Sequence, residues 1–265
     1  MTLSKVGESF VLGGPQFDAG FYLDRPNSSA DIAALCVQVQ SMRGVDPVAG
    51  IVAISEVFPR YGGFSYGLDV PIETIAITDF SRPLPRGRQL LAGSLASSDV
   101  GPVVVDFQTV DPELLDDVWH PLKVTINGDY LDISESSGGV SVEELKRRNA
   151  QAQFLIDAFR QGCEAFDPLY GFICGEEPVP TPVDLLTRDI HSGNVYVSNR
   201  LFAAEPDLRA KLDSVYTEGF SASWSTGVYY SSWAPLNPVG ASIDSPFRSA
   251  TPARQAFRRA LAGRH

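Results

Sequence analysis

Asn127-Gly128 stands between two alternating runs, LKVTI before it and DYLDIS after it, within the stretch Leu122 to Glu135. Both central residues of a type I′ turn need positive φ, which Asn and Gly tolerate, so the pattern predicts a two-stranded antiparallel hairpin. A hairpin alone is marginal in water, so the chain must supply further strands to pair with it. Apolar or period-2 runs with strand character occur at Ala19 to Leu23, Val48 to Ile54, Ile72 to Ile77, Pro102 to Val110, Leu169 to Cys174 and Asn194 to Ser198. Two aromatic-rich runs, Gly219 to Trp224 and Gly227 to Trp233, are close enough in sequence to form a second hairpin.

Helix starts are marked by their capping chemistry. Ser28 with Asp31, and Ser141 with Glu144, have capping-box spacing. After the first box, Ile32, Leu35, Val39 and Met42 share a face until Gly44; after the second, Leu145, Ala152, Leu155, Ile156 and Phe159 do so until Gly162. Thr181-Pro182 opens a short helix, Pro206 to Tyr216 reads as another, and Thr251-Pro252 caps a last one with Phe257 and Leu261 on one face. Ser81 to Gln89 is a loop by composition. Strands and helices thus mix along the chain, and the class is α+β: a mixed, largely antiparallel sheet flanked by helices. The expected organisation is one domain over 1–265, with Ser134 to Gly139 as a hinge that would divide it into 1–136 and 140–240, and a basic C-terminal helix at 251–262.

The 265 residues hold 32 acidic and 21 basic side chains, a net charge of −11. The acidity is local: residues 1–100 carry −3, residues 101–200 carry −10 and residues 201–265 carry +2. A field of that sign repels nucleic acid and anionic lipid and suits solubility or a basic protein partner. Residues 248–264 hold five Arg and no acid, and such a helix is expected to lie back on the acidic body. No run approaches a membrane span, and the opening MTLSKVGESFVLGGPQFDAGF lacks the apolar core of a secretory signal. Three cysteines without CxxC spacing, Cys36, Cys163 and Cys174, indicate neither a disulfide framework nor a zinc site. The expected location is the cytoplasm; no cofactor, metal, nucleic acid or membrane is expected.

Two motifs carry possible chemistry. Gly63-Phe64-Ser65-Tyr66-Gly67 matches the nucleophile elbow, in which a strand-to-helix turn lifts a Ser hydroxyl above a sheet. Here Pro71 and a period-2 strand follow where a helix is required. A Ser-dependent hydrolase centred on Ser65, completed by Asp79 or Asp106 and His120 or His191, is therefore an alternative rather than the principal reading. Arg188 to Asn194 (RDIHSGN) resembles the catalytic loop of aminoglycoside-kinase-like phosphotransferases, with Asp189 as catalytic Asp and Asn194 as metal ligand. The Gly-rich loop, the Lys–Glu pair and the second metal-binding Asp of that family have no counterpart here. The DPELLDD run, Asp111 to Asp117, lacks the alternate oxygens and central Gly of a calcium loop.

Asp116-Asp117-Val118-Trp119 places a Trp beside two carboxylates between strands, a combination suited to protein interfaces. The segments FDPLYGFICGEE (Phe166 to Glu177), NVYVSNRLF (Asn194 to Phe202) and GVYYSSWAPLNP (Gly227 to Pro238) together resemble acidic α+β immunity proteins of bacterial polymorphic toxins. That resemblance implies a cytoplasmic, non-catalytic protein that covers the active site of a toxin domain. Asp116, Asp117, Trp119, Glu176 and Glu177 are then the candidate partner-binding residues, the partner being a basic toxin domain. A structural or assembly subunit that presents its final hairpin to a like subunit is a further alternative.

Overall fold

The computed structural model describes residues 15–25, 27–42, 50–54, 72–75, 89–95, 100–108, 121–131, 139–177, 179–237, 245, 247 and 251–262. The chain forms two compact units, Met1–Phe17 with Arg25–Gln151, and Asp18–Asp24 with Ala152–His265. Strand β1 (Gln16–Tyr22) begins in the first unit and continues in the second.

In the first unit, helix α1 (Ser29–Ser41) is followed by β2 (Gly50–Ile54), β3 (Ile72–Ile75), β4 (Gln89–Leu95), β5 (Pro102–Gln108) and β6 (Leu122–Asn127). Their order is β3-β2-β4-β5-β6, with antiparallel pairing throughout. Val103, Val105, Leu122, Val124 and Ile126 are buried, as are Ile32, Leu35, Cys36 and Val39 of α1, which packs on β5. β4 was not expected from the sequence: its LLAGSL core follows a Pro- and Arg-rich stretch that reads as loop.

The first capping box forms as predicted. The Asp31 amide donates to Ser28 Oγ at 3.3 Å, and the Asp31 carboxylate accepts from the Ser28 amide at 2.8 Å. Arg25 grips the same carboxylate with two bonds of 2.6 and 2.7 Å. Burial pushes the Asp31 carboxyl up, but the bonds from Arg25 and Ser28 outweigh it and hold the group at about 2. A carboxyl depressed on folding contributes stability that is complete above its unfolded value and is lost as pH falls through its folded one. Asp31→Asn is therefore expected to lower unfolding stability at pH 7 by about 2 kcal/mol, the difference closing as pH falls from about 4 to 2. Urea unfolding of both proteins at the two ends of that range checks it; a difference that persists at the acid end would assign the loss to packing.

The type I′ turn expected at Asn127-Gly128 does not form, and the second run of the expected hairpin lies outside the described residues beyond Leu131. Asp129 to Leu131 are a turn, and neither Asn127 nor Gly128 has positive φ. Instead Asn127 Oδ1 accepts from the Asp129 amide at 2.8 Å, the Leu131 amide donates to Gly128 O at 2.8 Å, and the Gly128 amide donates to Pro15 O at 2.7 Å. A Cβ on Gly128 would enter the ring of Phe17. The glycine is there for a close approach, which the dipeptide alone cannot distinguish from a turn requirement.

Helix α2 (Val142–Phe166) starts at the predicted box, with Ser141 N to Glu144 Oε2 at 2.7 Å and Glu144 N to Ser141 Oγ at 3.2 Å. It passes through Gly162, the expected stop, and ends where Asp167 turns to φ 43°. Gly162 again marks a close approach, to the ring of Phe21.

The second unit contains β7 (Tyr170–Gly175), α3 (Pro182–Thr187), β8 (Asn194–Ser198), α4 (Asn199–Ala204), α5 (Asp207–Val215), β9 (Phe220–Ser223), β10 (Gly227–Ser231) and α6 (Pro252–Ala262). Strand order is β1-β7-β8-β10-β9, and β7–β8, β8–β10 and β10–β9 are antiparallel. The β9–β10 hairpin is thus as expected, whereas α4 was missed although Ser198 caps it, accepting from the Leu201 amide at 3.3 Å. One sheet face carries Tyr22, Tyr170, Phe172, Val195, Val197, Val228 and Tyr230, buried with Leu185, Leu201, Leu208, Leu212, Phe257 and Leu261 from the short helices. On the other, Phe159 of α2 stacks on Phe21 at 5.3 Å and meets Tyr229 edge-on at 5.8 Å. Tyr22–Tyr170 stacking at 4.8 Å ties β1 to β7.

The basic helix α6 lies on its own unit. Arg254, 4% exposed, ion-pairs with Asp189 and donates to the Arg188 carbonyl. Arg258 donates to the Leu185 and Leu186 carbonyls at the end of α3, and Arg259 pairs with Glu205. These cations are engaged internally rather than held out for phosphate. No helix among the described residues is long and apolar enough to cross a membrane.

Candidate partner-binding surface

Several loops with exposed charged side chains meet at one end of the second unit's sheet. Ile173 of β7 is opposite Asn194 of β8, and Ser231 of β10 is opposite Phe220 of β9. Asn194 and Ser231 are joined in turn, because Ser231 Oγ donates to Asn194 Oδ1 at 2.8 Å. This row spans four strands. Beyond it, at the same end, emerge Glu176 and Glu177 after β7, His191 before β8, Trp233 after β10 and Glu218 before β9.

The loops at this end are held by hydrogen bonds rather than by apolar burial alone. Ser192 Oγ donates to Ile173 O at 2.7 Å and accepts from the Asn194 amide at 3.3 Å. Ser245 Oγ donates to Ser192 O at 2.9 Å, the Ser232 amide donates to Asn194 Oδ1 at 3.3 Å, and Tyr216 donates to Gly193 O. Burial, reinforced by the neighbouring phenols of Tyr229 and Tyr230, pushes the Tyr216 hydroxyl well above its usual range, so it remains a donor. A Cβ on Gly193 would collide with Ser232.

Glu176 and Glu177 are exposed and make no hydrogen bond or ion pair with the described residues. Glu176 also has φ 55°, the left-handed region in which a side chain other than Asn, Asp or Gly is uncommon. The strand end therefore presents two adjacent carboxylates that no cation among the described residues pairs with. Glu218, likewise exposed and without such a partner, lies at the far side of the same end. It was not singled out from the sequence, because its place depends on strand order.

The other sequence candidates fall differently. Ser65, Asp116, Asp117 and Trp119 lie outside the described residues, as do Asp79 and His120, so the hydrolase constellation has no geometry here. His191 is exposed, and Asp106 lies in β5, its backbone opposite Leu91 and Lys123. In the RDIHSGN loop, Asp189 is engaged by Arg254 and Asn194 is buried beneath Ser231 and Ser232, so both side chains serve as internal fasteners. All three cysteines are free and buried, in keeping with packing roles; burial pushes the Cys36 thiol up to about 12. Among the described residues no group of three or more His, Cys, Asp and Glu side chains could hold a metal ion.

No family model matches the chain. No curated protein matches it either. Among solved structures, it is similar to one described as Pseudomonas aeruginosa T6SS protein PA0821, at a TM-score of 0.41 and 12% identity, over 94% of this chain and 76% of that one.

Proposed function

We propose that this chain is a non-catalytic acidic binding protein, an immunity protein that neutralises a bacterial toxin domain by occluding its active site. The observation that carries the reading is the Glu176-Glu177 turn. A left-handed glutamate costs the backbone about 1 kcal/mol, and Gly at the same place would not incur that cost. Strain kept at an exposed position, beside a second carboxylate and on a hydrogen-bonded frame, suits a side chain retained for what it meets in a partner. Uncompensated carboxylates attract Lys and Arg, steer encounter and give an affinity that falls with salt. The sequence resemblance to immunity proteins supplies the class of partner.

Co-expression with a toxin domain encoded beside this chain should restore growth, and the purified pair should form a complex in calorimetry. Glu176→Lys with Glu177→Lys should weaken that complex about tenfold or more and flatten its salt dependence. Glu176→Gly should move two quantities in opposite directions: fold stability up by about 0.5–1 kcal/mol, and affinity down. Unchanged affinity in both variants would remove this turn from the interface. If reversal at Asp116 and Asp117 then weakened binding, the contact would belong to that run instead.

A further inference from the structure

β9 is the last strand in the order of its sheet, and no strand among the described residues pairs with its outer edge. The direction of its backbone groups follows from the register. The Trp224 amide donates to Gly227 O at 2.8 Å, so Trp224 and Gly227 are a hydrogen-bonded pair. Hydrogen-bonded pairs alternate along an antiparallel ladder, which makes Ala222–Tyr229 and Phe220–Ser231 the next ones. The N–H and C=O groups of Ser221 and Ser223 therefore point away from β10, and no hydrogen bond from them to the described residues exists.

Natural edge strands are blunted by Lys, Pro, inward charges or bulges. Phe220–Ser223 (FSAS) has none of these, and it continues its neighbour's register without interruption. Along one side of the edge, Phe220, Ala222 and Trp224 form a half-buried apolar strip. That strip is rigid, because Trp224 stacks on Tyr229 at 5.0 Å and on Tyr196 at 5.8 Å.

We infer that the β9 edge is a strand-addition site for an extended, basic segment of a protein partner. This rests on the proposal that the chain binds such a partner, and it names the surface and the backbone chemistry involved. A second copy of this chain is the poorer occupant: it brings the same net charge of −11, and its own uncharged β9 offers Glu218 no cation. A segment alternating Lys or Arg with apolar residues satisfies both the open backbone groups and the strip, and it sets a cation near Glu218.

The test uses a labelled synthetic peptide alternating lysine and valine, titrated into the whole protein and followed by fluorescence anisotropy. Ser223→Pro deletes one outward N–H while leaving the β9–β10 ladder intact, since that amide is not part of it. The peptide should bind the parent protein, and Ser223→Pro should weaken it about tenfold or more with an unchanged unfolding midpoint. Ser221→Pro removes the other outward amide and serves if the first variant does not fold. Failure of the peptide to bind, or equal binding by the proline variants, would overturn the edge site. So would a concentration-dependent dimer abolished by the prolines, which would assign the edge to a second copy. Peptide binding lost on Glu176→Lys with Glu177→Lys but not on Ser223→Pro would sink the edge and leave the acidic-partner reading standing. Binding lost on Ser223→Pro without toxin neutralisation would do the reverse.

Discussion

Asp189→Ala is expected to destabilise the protein by about 3 kcal/mol, more than removal of the arginine it faces. The reason is the asymmetry of the pair. The Arg254 side chain is 5% exposed and that of Asp189 is 53% exposed, so deleting the carboxylate removes an ion-pair partner from a buried guanidinium. Deleting the guanidinium instead leaves a carboxylate that water can reach. Arg254→Met, which keeps most of the volume and removes the buried charge, should cost only about 1 kcal/mol. The double variant should then be no less stable than Arg254→Met alone. Guanidinium unfolding of the four proteins measures this cycle. Equal losses for the two single variants would mean that the contact behaves as a surface pair and that α6 is held by its apolar face instead.

Gly227→Ala is expected to cost about 3 kcal/mol, the upper end for overpacking a well-filled site. Its new Cβ would collide with the Val197 carbonyl oxygen and approach Ser198 Cα and the Tyr196 ring to 2.8 Å each. Two of these obstacles are backbone of β8, and Gly227 is paired with Ser198 in that ladder. Neither strand can retreat without lengthening the hydrogen bonds that join them. Ser223→Ala, on an exposed position of the same hairpin, should change stability by less than about 0.5 kcal/mol. Denaturation followed by tryptophan fluorescence distinguishes the two. A Gly227→Ala loss within the range of the Ser223→Ala control would show that the strands give way more easily than their pairing implies.

What the sequence made legible was local chemistry. The capping boxes at Ser28 and Ser141 lie where the spacing placed them, and the Asn194 to Ser198 strand has its predicted bounds, since a side chain three residues from an amide is a short-range fact. Glycine was misread for a complementary reason. Gly128 and Gly162 carry the residue type of a turn and of a helix stop, yet both exist to admit an aromatic ring distant in sequence. At the candidate surface, the charge of Glu176 and Glu177 was visible but its presentation was not. Glutamate does not signal a left-handed backbone, and that conformation follows from its surroundings. The open edge of β9 was invisible as well, because a strand becomes an edge only through the order of all the others.

The division of β1 between the units bears on synthesis at the ribosome. Tyr22 stacks on Tyr170, and Gly20 lies against Val179, yet roughly 150 residues separate the two halves of these contacts. At translation rates of about 5–20 residues per second, the apolar strand emerges roughly 10–30 seconds before its neighbours in the second unit. During that interval β1 lacks its β7 neighbour, and an unpaired strand edge on a nascent chain favours chaperone binding and aggregation when translation is slow. No single cut in the polypeptide separates the units intact, because each is assembled from two stretches of chain.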